Sequence, residues 1–387
     1  MRVVMVSKAL AVGAYQRKLE EIARLPGVEL TAIVPSEWRD RRGQVRLERA
    51  HVSGYELIAA PVRLNGQYHL HFYPTLGRLL KQLRPEILHM DEEPYNLATW
   101  HALRTGQAVG ARSLFFTWQN LNRRYPWPFR AFEVANYRRA AYAIAGNRAA
   151  VDVLRAKGYR GPVAVIPQFG VDPEIFRPRT IDEGRQTTTD RPPSSVVRRP
   201  SSFLIVYAGA LIPEKGVDLL LRACAGLPDV GWRLAIVGDG PERAQLGALA
   251  GTLGIGERVD FLGQRASTQM PDVYPDFDVL VLPSLSRPNW KEQFGRVLIE
   301  AMACGVPVIG SASGEIPNVI GDAGLIFPEG DILALRDSIA RLLADPALRA
   351  RYAEAGRQRV LAEFTQAQIA AATVRVYREI LLPQETA

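Results

Sequence analysis

The sequence predicts an α/β protein built from two doubly wound parallel sheets. Three observations lead to this prediction. Short apolar runs alternate with amphipathic segments from the first residues onward, as is typical of strands followed by helices. The alternation stops at a stretch rich in Thr, Pro and Arg, and then restarts. The length of 387 residues also exceeds what one hydrophobic core usually supports, so two domains are expected.

The predicted domains follow from where the pattern stops and restarts. Residues 1–178 form a first Rossmann-like domain, with apolar runs such as RVVMV, ELTAIV and SLFFTW as its strands. Residues 179–202 lack apolar periodicity and are predicted to be an interdomain linker. Residues 203–363 form a second Rossmann-like domain. Residues 364–387 are predicted as a helix that packs back on the first domain.

The net charge of +8 is unevenly distributed along the chain. Residues 1–179 carry 27 basic and 15 acidic side chains, whereas residues 201–387 carry 17 and 22. Such a basic front half suits an anionic partner or, alternatively, a solvated surface. The segments NLNRRYPWPFR (120–130) and ANYRRAAY (135–142) mix arginines with aromatic residues, which suits peripheral contact with an anionic membrane; a solvated helix face is the alternative.

Candidate ligand-binding residues follow the strands of the second domain. Ligands of open α/β sheets bind beyond the carboxyl ends of the strands, where helix N-termini meet the crevice. Gly209 and Lys215 follow the run FLIVYAG, and a lysine there suits a phosphate or diphosphate; a solvated lysine is the alternative. Gly238 follows RLAIV, where glycine permits close approach of a backbone or simply a tight turn.

The run EQFGRVLIEAMACGVPVIG places two glutamates around the start of an apolar helix. Phe294 and Gly295 are predicted to begin the helix, whose first free amides suit an anion. Glu300, inside the helix, suits a vicinal diol such as a ribose, and Glu292 suits the hydroxyls of a group beyond the phosphates. The alternative is an ordinary surface Glu292 and a buried, ion-paired Glu300.

This run resembles the E-x7-E region of the family 4 glycosyltransferases, a retaining group with the GT-B fold. Five further stretches resemble family landmarks in the family's order: IPQFGVDPEIFRP, VYAGALIPEKGVDLLLRA, IVGDGPE, VDFLG and YPDFDVLVLPS. The resemblance is dense over 203–328 and thinner over 1–178. It implies two Rossmann-like domains facing across a cleft, with the acceptor on the first and the nucleotide-sugar donor on the second.

The resemblance also implies roles for individual residues. Glu300 would bind the nucleotide ribose and Glu292 the donor sugar, and Lys215 would bind the diphosphate and help it depart. Glu292 and Lys215 are therefore the candidate catalytic residues. The candidate donor-binding residues are Glu300, Phe294, Gly295, Gly13, Gly209 and Gly238, with Gly13 matching the glycine-rich loop after the first strand.

The chain departs from the family pattern at two places. Ala210 stands where an arginine usually follows the first glycine of the phosphate segment. The segment FFTWQN puts Trp118, Gln119 and Asn120 where many relatives have a histidine, so no general base is assigned.

Two acidic clusters call for separate interpretations. Asp276-Phe277-Asp278 spells D-x-D, a metal-binding pattern of another glycosyltransferase fold, but its position before VLVLPS indicates a turn. No metal and no cofactor are therefore expected. Asp91, Glu92 and Glu93 follow the run EILHM, where they either face an acceptor or lie in a solvated loop.

The implied function is retaining transfer of a sugar from a nucleoside diphosphate sugar to a carbohydrate or lipid-linked hydroxyl acceptor, in polysaccharide, glycolipid or other glycoconjugate biosynthesis. The alternatives are a catalytically idle GT-B protein that binds a nucleotide sugar, and a nucleotide-sugar epimerase. The expected location is cytoplasmic or peripheral on the inner face of the cell membrane. No helix-turn-helix, zinc or RNA-binding motif accompanies the basic charge, so no nucleic-acid partner is expected.

Overall fold

A computed structural model describes residues 1–40, 43–179 and 202–382 of the chain. These residues form two compact units. The first comprises Met1–Gly170 together with the segment from Gln366 onward, and the second comprises Val171–Thr365. Most of the predicted linker, residues 180–201, lies outside the described residues. Among the described residues, no helix is long and apolar enough to cross a bilayer.

The first unit is built on a seven-stranded parallel sheet in the order β5-β2-β1-β6-β7-β8-β9, with β3 and β4 pairing separately as an antiparallel hairpin. The strands are β1 (Arg2–Val6), β2 (Glu29–Pro35), β3 (Glu37–Asp40), β4 (Gly43–Arg46), β5 (Glu56–Ala60), β6 (Ile87–Met90), β7 (Arg112–Thr117), β8 (Tyr142–Ala145) and β9 (Val163–Val165). Its first five helices are α1 (Arg17–Ala23), α2 (Leu76–Leu83), α3 (Leu97–Ala108), α4 (Phe129–Arg139) and α5 (Arg148–Ala156).

Both faces of this first sheet are covered. Successive side chains of a strand point to opposite faces. In β1, Val3 and Met5 join the core on one face, and Val4 and Val6 join the core on the other. The apolar run RVVMV is therefore buried almost throughout, as expected for a strand in the interior of a parallel sheet.

The second unit is built on a six-stranded sheet in the order β12-β11-β10-β13-β14-β15, parallel throughout. The strands are β10 (Phe203–Ala208), β11 (Trp232–Val237), β12 (Val259–Gly263), β13 (Val279–Leu282), β14 (Val308–Ser311) and β15 (Leu325–Phe327). The helices are α6 (Val217–Ala225), α7 (Arg243–Thr252), α8 (Met270–Val273), α9 (Arg296–Ala303), α10 (Ile316–Ile320), α11 (Ile332–Ala344) and α12 (Pro346–Glu363). The predicted fold class, two Rossmann-like parallel sheets, is confirmed.

Two helices of the second unit, α11 and α12, begin at aspartate N-caps. The Asp331 carboxylate accepts the Ala334 N–H at 2.9 Å, and the Asp345 carboxylate accepts the Leu348 N–H at the same distance. Pro346 follows at the first helical position, where its missing N–H costs nothing. These caps fix where α11 and α12 begin.

The last helix, α13 (Gln366–Leu381), belongs to the first unit although it follows the second in sequence. Its Ile369, Val374, Tyr377 and Ile380 side chains are buried in one of the two cores of the first sheet. The Tyr377 hydroxyl also lies 2.7 Å from Nδ1 of the buried His89 in β6. The chain passes between the units at Gly170 and again at Thr365, so the predicted first boundary at 178 and last at 364 need correction.

The reason for the earlier boundary is local backbone pairing. Val171 donates its N–H to the Phe364 carbonyl at 2.9 Å and bridges Thr365, so the residues after Gly170 are held within the second unit. The sequence reads continuously across this point, because IPQFGVDPEIFRP has no break in composition.

We expect α13 to be required for the stability of the first unit. Ile380→Ala should lower the free energy of unfolding by about 2–4 kcal/mol, because a large buried side chain is removed and leaves a cavity. Leu382→Ala at the end of the same helix is the matched control, since Leu382 is 61% exposed whereas Ile380 is 4% exposed. The control should cost about 0.5 kcal/mol or less. Urea unfolding of both variants measures the difference, and equal costs would show that α13 contributes no core.

Candidate active site

A partly buried ion pair lies beyond the carboxyl end of β10. Lys215 ends the short 3₁₀ turn Pro213–Lys215 that precedes α6, and its Nζ donates to Oε2 of Glu292 at 2.5 Å. Glu292 precedes α9 in sequence and is only 8% exposed. Two residues 77 positions apart thus meet at one end of the second sheet. A buried carboxylate needs such a partner, because burying an unpaired charge is costly.

Neighbouring loops fix the position of Glu292. The Ser284 hydroxyl, just after β13, donates to the same Oε2 at 3.0 Å. The Ser284 carbonyl in turn accepts the hydroxyl of Ser311 at the end of β14, at 2.6 Å. The backbone carbonyl of Glu292 accepts the Glu315 N–H at 3.2 Å. Both the side chain and the backbone of Glu292 are therefore held by segments that follow adjacent parallel strands.

Trp290 forms one wall of this cluster. Nζ of Lys215 lies 5.1 Å from the centroid of the indole ring, within range of a cation–π interaction. Arg287 and Trp290 exchange backbone hydrogen bonds of 2.7 and 3.1 Å, which closes a tight turn. The Ser286 hydroxyl anchors this turn by donating to Glu329 at 2.9 Å. The sequence analysis missed Trp290, because its contact with Lys215 joins distant segments.

Glu300 lies within α9, and its side chain is buried. Its Oε2 accepts the Tyr274 hydroxyl at 2.8 Å, and its Oε1 lies 2.8 Å from Nε of Arg296 one turn earlier. Burial raises the pKa of the Glu300 carboxyl, and Arg296 and the Tyr274 hydroxyl act in the opposite direction. A carboxylate can accept about four hydrogen bonds, so two partners leave capacity for the hydroxyls of a ligand.

Lys215 and Glu292 come together in the structure, whereas Glu300 has its own partners. The sequence alternative of a surface Glu292 is wrong, because this residue is buried. The alternative of a buried, ion-paired Glu300 does describe its surroundings, with Arg296 as the cation. Ser284 and Tyr274 are supporting residues that sequence reasoning missed, although Ser284 belongs to the VLVLPS run quoted above.

The start of α9 has the predicted form. Gly295 is the N-cap residue, so the amides of the first turn follow it. The Phe294 ring is buried and packs edge-on against Phe364 at 5.8 Å between centroids. The Phe294 side chain therefore packs in the interior of the second unit.

Gly209 and Gly238 lie against each other at the ends of β10 and β11. A Cβ on Gly238 would lie 1.8 Å from the Gly209 carbonyl oxygen. The Gly209 N–H also donates to the Val237 carbonyl at 2.9 Å. Close approach of two backbones is thus a sufficient reason for glycine at position 238, whatever binds there.

Gly13 lies in the first unit, in a short 3₁₀ turn after β1. It is buried, and its N–H donates to Oε2 of Glu48 at 2.6 Å. A Cβ there would lie 2.8 Å from that of Ala50. The amide of this candidate donor-binding residue is thus paired with a carboxylate in this structure.

Comparisons with known proteins identify the family of the chain. The family model described as "Glycosyl transferases group 1" matches residues 192–359, and the "Glycosyl transferase 4-like domain" matches residues 11–168. The chain is 37% identical over 159 residues to D-inositol 3-phosphate glycosyltransferase of Mycobacterium marinum, and 37% identical over 184 residues to N-acetyl-alpha-D-glucosaminyl L-malate synthase of Bacillus anthracis. The two aligned regions cover 40% and 47% of this chain.

The chain belongs to the family 4 glycosyltransferases. The aligned regions span 31% and 46% of those two relatives, less than half of either protein.

Solved structures show that this family 4 member has the GT-B fold. Sucrose-phosphate synthase of Thermosynechococcus elongatus superimposes with a TM-score of 0.72 at 22% identity, covering 98% of this chain and 99% of that one. HepE of Anabaena in complex with UDP superimposes with a TM-score of 0.74 at 19% identity, covering 98% of this chain and all of that one.

Two of the three acidic residues after β6 of this family member are buried and Glu93 is half-buried, so the alternative of a solvated loop is wrong. Asp91 and Glu92 are 2% and 3% exposed. Although burial acts to raise it, the pKa of Glu92 is lowered to about 2 by the adjacent His71 and Lys8. Glu93 accepts the Thr117 hydroxyl at 2.6 Å and the Trp118 N–H at 2.8 Å. Burial raises the pKa of Glu93 to about 7 despite these two bonds.

Glu93 helps to fix the Trp118-Gln119-Asn120 segment, where many relatives have a histidine. The Trp118 Nε1–H donates to Gln168 at 3.0 Å, and the Gln168 amide donates to Asp91 at 3.0 Å. A Cβ on Gly146 would lie 2.2 Å from the Trp118 ring, so the indole fills the space above that glycine. The acidic residues after β6 therefore help to orient the Trp118-Gln119-Asn120 loop at the carboxyl edge of the first sheet.

The D-x-D sequence is structural, as predicted. The Asp278 carboxylate accepts the Leu204 N–H at 2.8 Å, and the Asp276 carboxylate pairs with Arg179 at 2.5 Å. In the described part of the chain, no group of three or more His, Cys, Asp or Glu side chains is placed to hold a metal ion.

Gly314 holds the backbone of Glu292 in place, and we expect substitution there to disturb the cluster. A Cβ on Gly314 would lie 2.0 Å from the Glu292 carbonyl oxygen. Gly314→Ala should lower the free energy of unfolding by about 3 kcal/mol or more. Gly330→Ala is the matched control: it also has a positive φ, but a Cβ there meets nothing within 4 Å. That control should cost about 1 kcal/mol, and equal losses in urea unfolding would contradict the proposed packing.

We expect Glu93 to make stability depend on pH. Its pKa is raised in the folded state, so its favourable effect is complete below the usual carboxyl range and is lost as pH rises through about 7. Between pH 5 and 8 the wild type should lose up to about 3 kcal/mol relative to Glu93→Gln, which cannot ionise. Glu92 titrates well below this window.

Urea unfolding at several pH values measures this difference. Glu56→Gln is the control, because Glu56 is exposed in the same unit. A wild type that follows the same pH profile as Glu93→Gln would refute the assignment.

Proposed function

We propose that this family member transfers a sugar from a nucleoside diphosphate sugar to a hydroxyl acceptor, with retention of the anomeric configuration. The observation that supports this most directly is the cluster of Lys215, Glu292 and Ser284 at the carboxyl edge of the second sheet. This is where ligands of open α/β sheets bind. The UDP complex of the structural neighbour from Anabaena supports a nucleoside diphosphate donor.

Lys215 is the proposed stabiliser of the leaving group. As the bond between the sugar C1 and the diphosphate breaks, negative charge develops on the departing oxygen. The Lys215 ammonium can meet this charge without much reorganisation, because Glu292 and the Trp290 ring already fix its position. The first-turn amides of α9 supply further positive potential.

Glu292 is the proposed partner of the donor sugar hydroxyls. Lys215 and Ser284 both donate to its Oε2 and hold the carboxylate in place, and in this proposal the carboxylate accepts a hydroxyl of the donor sugar. These two donors also reduce its nucleophilicity, so we assign it a binding role rather than a covalent one. The acceptor hydroxyl then attacks C1 on the face that the diphosphate leaves, and its proton passes to the departing phosphate oxygen.

Glu300 is the proposed ribose-binding residue. A vicinal diol can donate two hydrogen bonds to one carboxylate, provided that the carboxylate is ionised. Arg296 and the Tyr274 hydroxyl oppose the effect of burial on the Glu300 pKa and so favour the ionised form. Phe294, Gly295, Gly209, Gly238 and Gly13 remain the other proposed donor-binding residues. In this proposal Lys215 and backbone amides neutralise the diphosphate, without a metal ion or a cofactor.

The acceptor is proposed to be a carbohydrate or a lipid-linked hydroxyl, in polysaccharide, glycolipid or other glycoconjugate biosynthesis. The names of the relatives point to varied acceptors, since they include a D-inositol 3-phosphate glycosyltransferase and a phosphatidylinositol monomannoside mannosyltransferase. A cytoplasmic location, with peripheral contact at the inner face of the cell membrane, suits the basic front half of the chain.

A catalytically idle nucleotide-sugar-binding protein is the second candidate. Two observations favour it: Ala210 is exposed where relatives have an arginine, and Trp118 with Gln119 replaces a histidine. An epimerase is a weaker candidate, because the E-x7-E run argues against it.

Donor binding tests the proposal first. Thermal unfolding should be measured with a panel of nucleotides and nucleotide sugars for the wild type, Glu300→Gln and the control Glu257→Gln. One nucleoside diphosphate sugar at saturating concentration should raise the midpoint of the wild type and the control by several degrees, because it binds only the folded state. Glu300→Gln should lose most of this shift. No shift with any nucleotide would contradict both the transferase and the idle binding protein.

Turnover then separates these two candidates. Lys215→Ala should reduce sugar transfer to a competent acceptor by about 10²–10³-fold, which is typical for loss of one electrostatic stabiliser. A wild type that binds the donor but never transfers its sugar to any of a panel of acceptors would favour the idle protein.

A further inference from the structure

The first unit contains a basic cavity that the proposed donor site does not use. Its volume is about 190 Å³, and it lies between the loop after β7, helix α4 and the end of α5. The side chains that line it include Arg123, Arg124, Tyr125, Arg130, Glu133 and Lys157. Four cationic groups and one carboxylate give these side chains a net charge of +3.

The base of the cavity is fixed by a buried ion pair. Nζ of Lys157 donates to Oε1 of Glu133 at 2.7 Å, and the two side chains are 9% and 6% exposed. Lys157 also lies 4.8 Å from the centroid of the Tyr125 ring. That ring stacks on Tyr95 with 4.1 Å between centroids, which anchors the loop to the segment after β6. The cavity is therefore held open by buried contacts rather than formed by surface side chains alone.

The rim of the cavity has an excess of positive charge. Arg124 and Arg130 are exposed, and among the described residues neither forms an ion pair. Glu133, the one carboxylate in the lining, is already paired with Lys157. Like charges held close together cost free energy that a bound anion would remove. The described residues therefore do not supply an anionic partner for these two arginines.

We propose that this cavity, which we call the basic pocket, binds a phosphate or diphosphate group. Guanidinium groups match phosphate oxygens bidentately, and a buried lysine at the base adds a charged donor. A water occupies about 30 Å³ of liquid, so the volume equals about six waters. This suits a phosphate or diphosphate and is too small for a nucleotide sugar, for which sites usually exceed about 300 Å³.

The phosphate comes either from a lipid headgroup or from a free small molecule. Trp127, which lies between Arg124 and Arg130 in sequence, is 84% exposed. An exposed tryptophan among arginines is typical of segments that lie at a membrane surface. The lipid source is therefore the one we expect, and Trp127 would enter the interface while the basic pocket binds a headgroup phosphate. The inference does not depend on the proposed sugar transfer, because the basic pocket uses none of the donor-binding residues.

Binding of inorganic pyrophosphate tests the basic pocket directly. Isothermal titration should compare the wild type, the double variant Arg124→Glu with Arg130→Glu, and the control Arg78→Glu with Lys81→Glu on α2. The control changes the charge equally at exposed residues of the same unit that lie outside the basic pocket. The double variant Arg124→Glu with Arg130→Glu, which we call the rim variant, should bind pyrophosphate at least about tenfold more weakly. Two charged donors are lost, and each positive charge is replaced by a negative one. Equal affinities in all three proteins, or no binding to the wild type, would overturn the proposal.

Vesicle binding identifies the source of the phosphate. Sedimentation with vesicles containing phosphatidylglycerol should retain the wild type and the control in a salt-sensitive way, and phosphatidylcholine vesicles should not. The rim variant should partition at least about thirtyfold more weakly, and Trp127→Ser should also weaken retention. Pyrophosphate binding without vesicle binding would assign the basic pocket to a free phosphorylated ligand and refute the lipid source. Unchanged unfolding midpoints in the variants would show that the fold is intact.

Discussion

The arrangement of the candidate active site in the second unit depends on one constraint: the buried carboxylate of Glu292 needs a cationic partner. Lys215 satisfies it, and the two residues lie in segments that follow β10 and β13, adjacent strands of the second sheet. Ser284, Gly314 and Glu315 then fix the side chain and the backbone of Glu292. Because these segments all follow parallel strands, a single edge of the sheet collects the charged groups. The glycines at this edge are needed for backbone packing as much as for any ligand.

The first unit solves a similar problem with other partners. Of its three consecutive acidic residues after β6, Asp91 and Glu92 are buried and Glu93 is half-buried, and each accepts a hydrogen bond from another segment of the chain. Glu92 pairs with Lys8 at 2.5 Å, Asp91 accepts the Ser7 hydroxyl at 2.9 Å, and Glu93 accepts from Thr117. This network joins β1, β6 and β7 at their carboxyl ends. It explains why a polar segment lies in the interior, and it leaves the positive charge of the unit concentrated elsewhere, including at the basic pocket.

The two units differ in how their charges are used. In the second, the basic Lys215 and the acidic Glu292 form an ion pair, so their charges offset each other. In the first, the basic pocket keeps an excess of arginines around a single buried ion pair. A neutral, preorganised cluster suits a charge that develops during a reaction, whereas a permanently positive cavity suits a ligand that already carries charge.

The sequence by itself determined the fold class, the order of the elements and the family, because alternating apolar runs and six ordered motifs are local properties of the chain. It also identified Glu292, Glu300 and Lys215 as the polar residues that follow buried strands or interrupt an apolar helix. Only the tertiary structure decided their partners: Trp290 over Lys215, Tyr274 on Glu300 and α13 on the first sheet. It likewise showed that Asp91 and Glu92 are buried and that the units divide at Gly170. The physical reason is that burial and ion pairing arise between residues far apart in the chain, and no local pattern records which distant group supplies the missing charge or hydrogen bond.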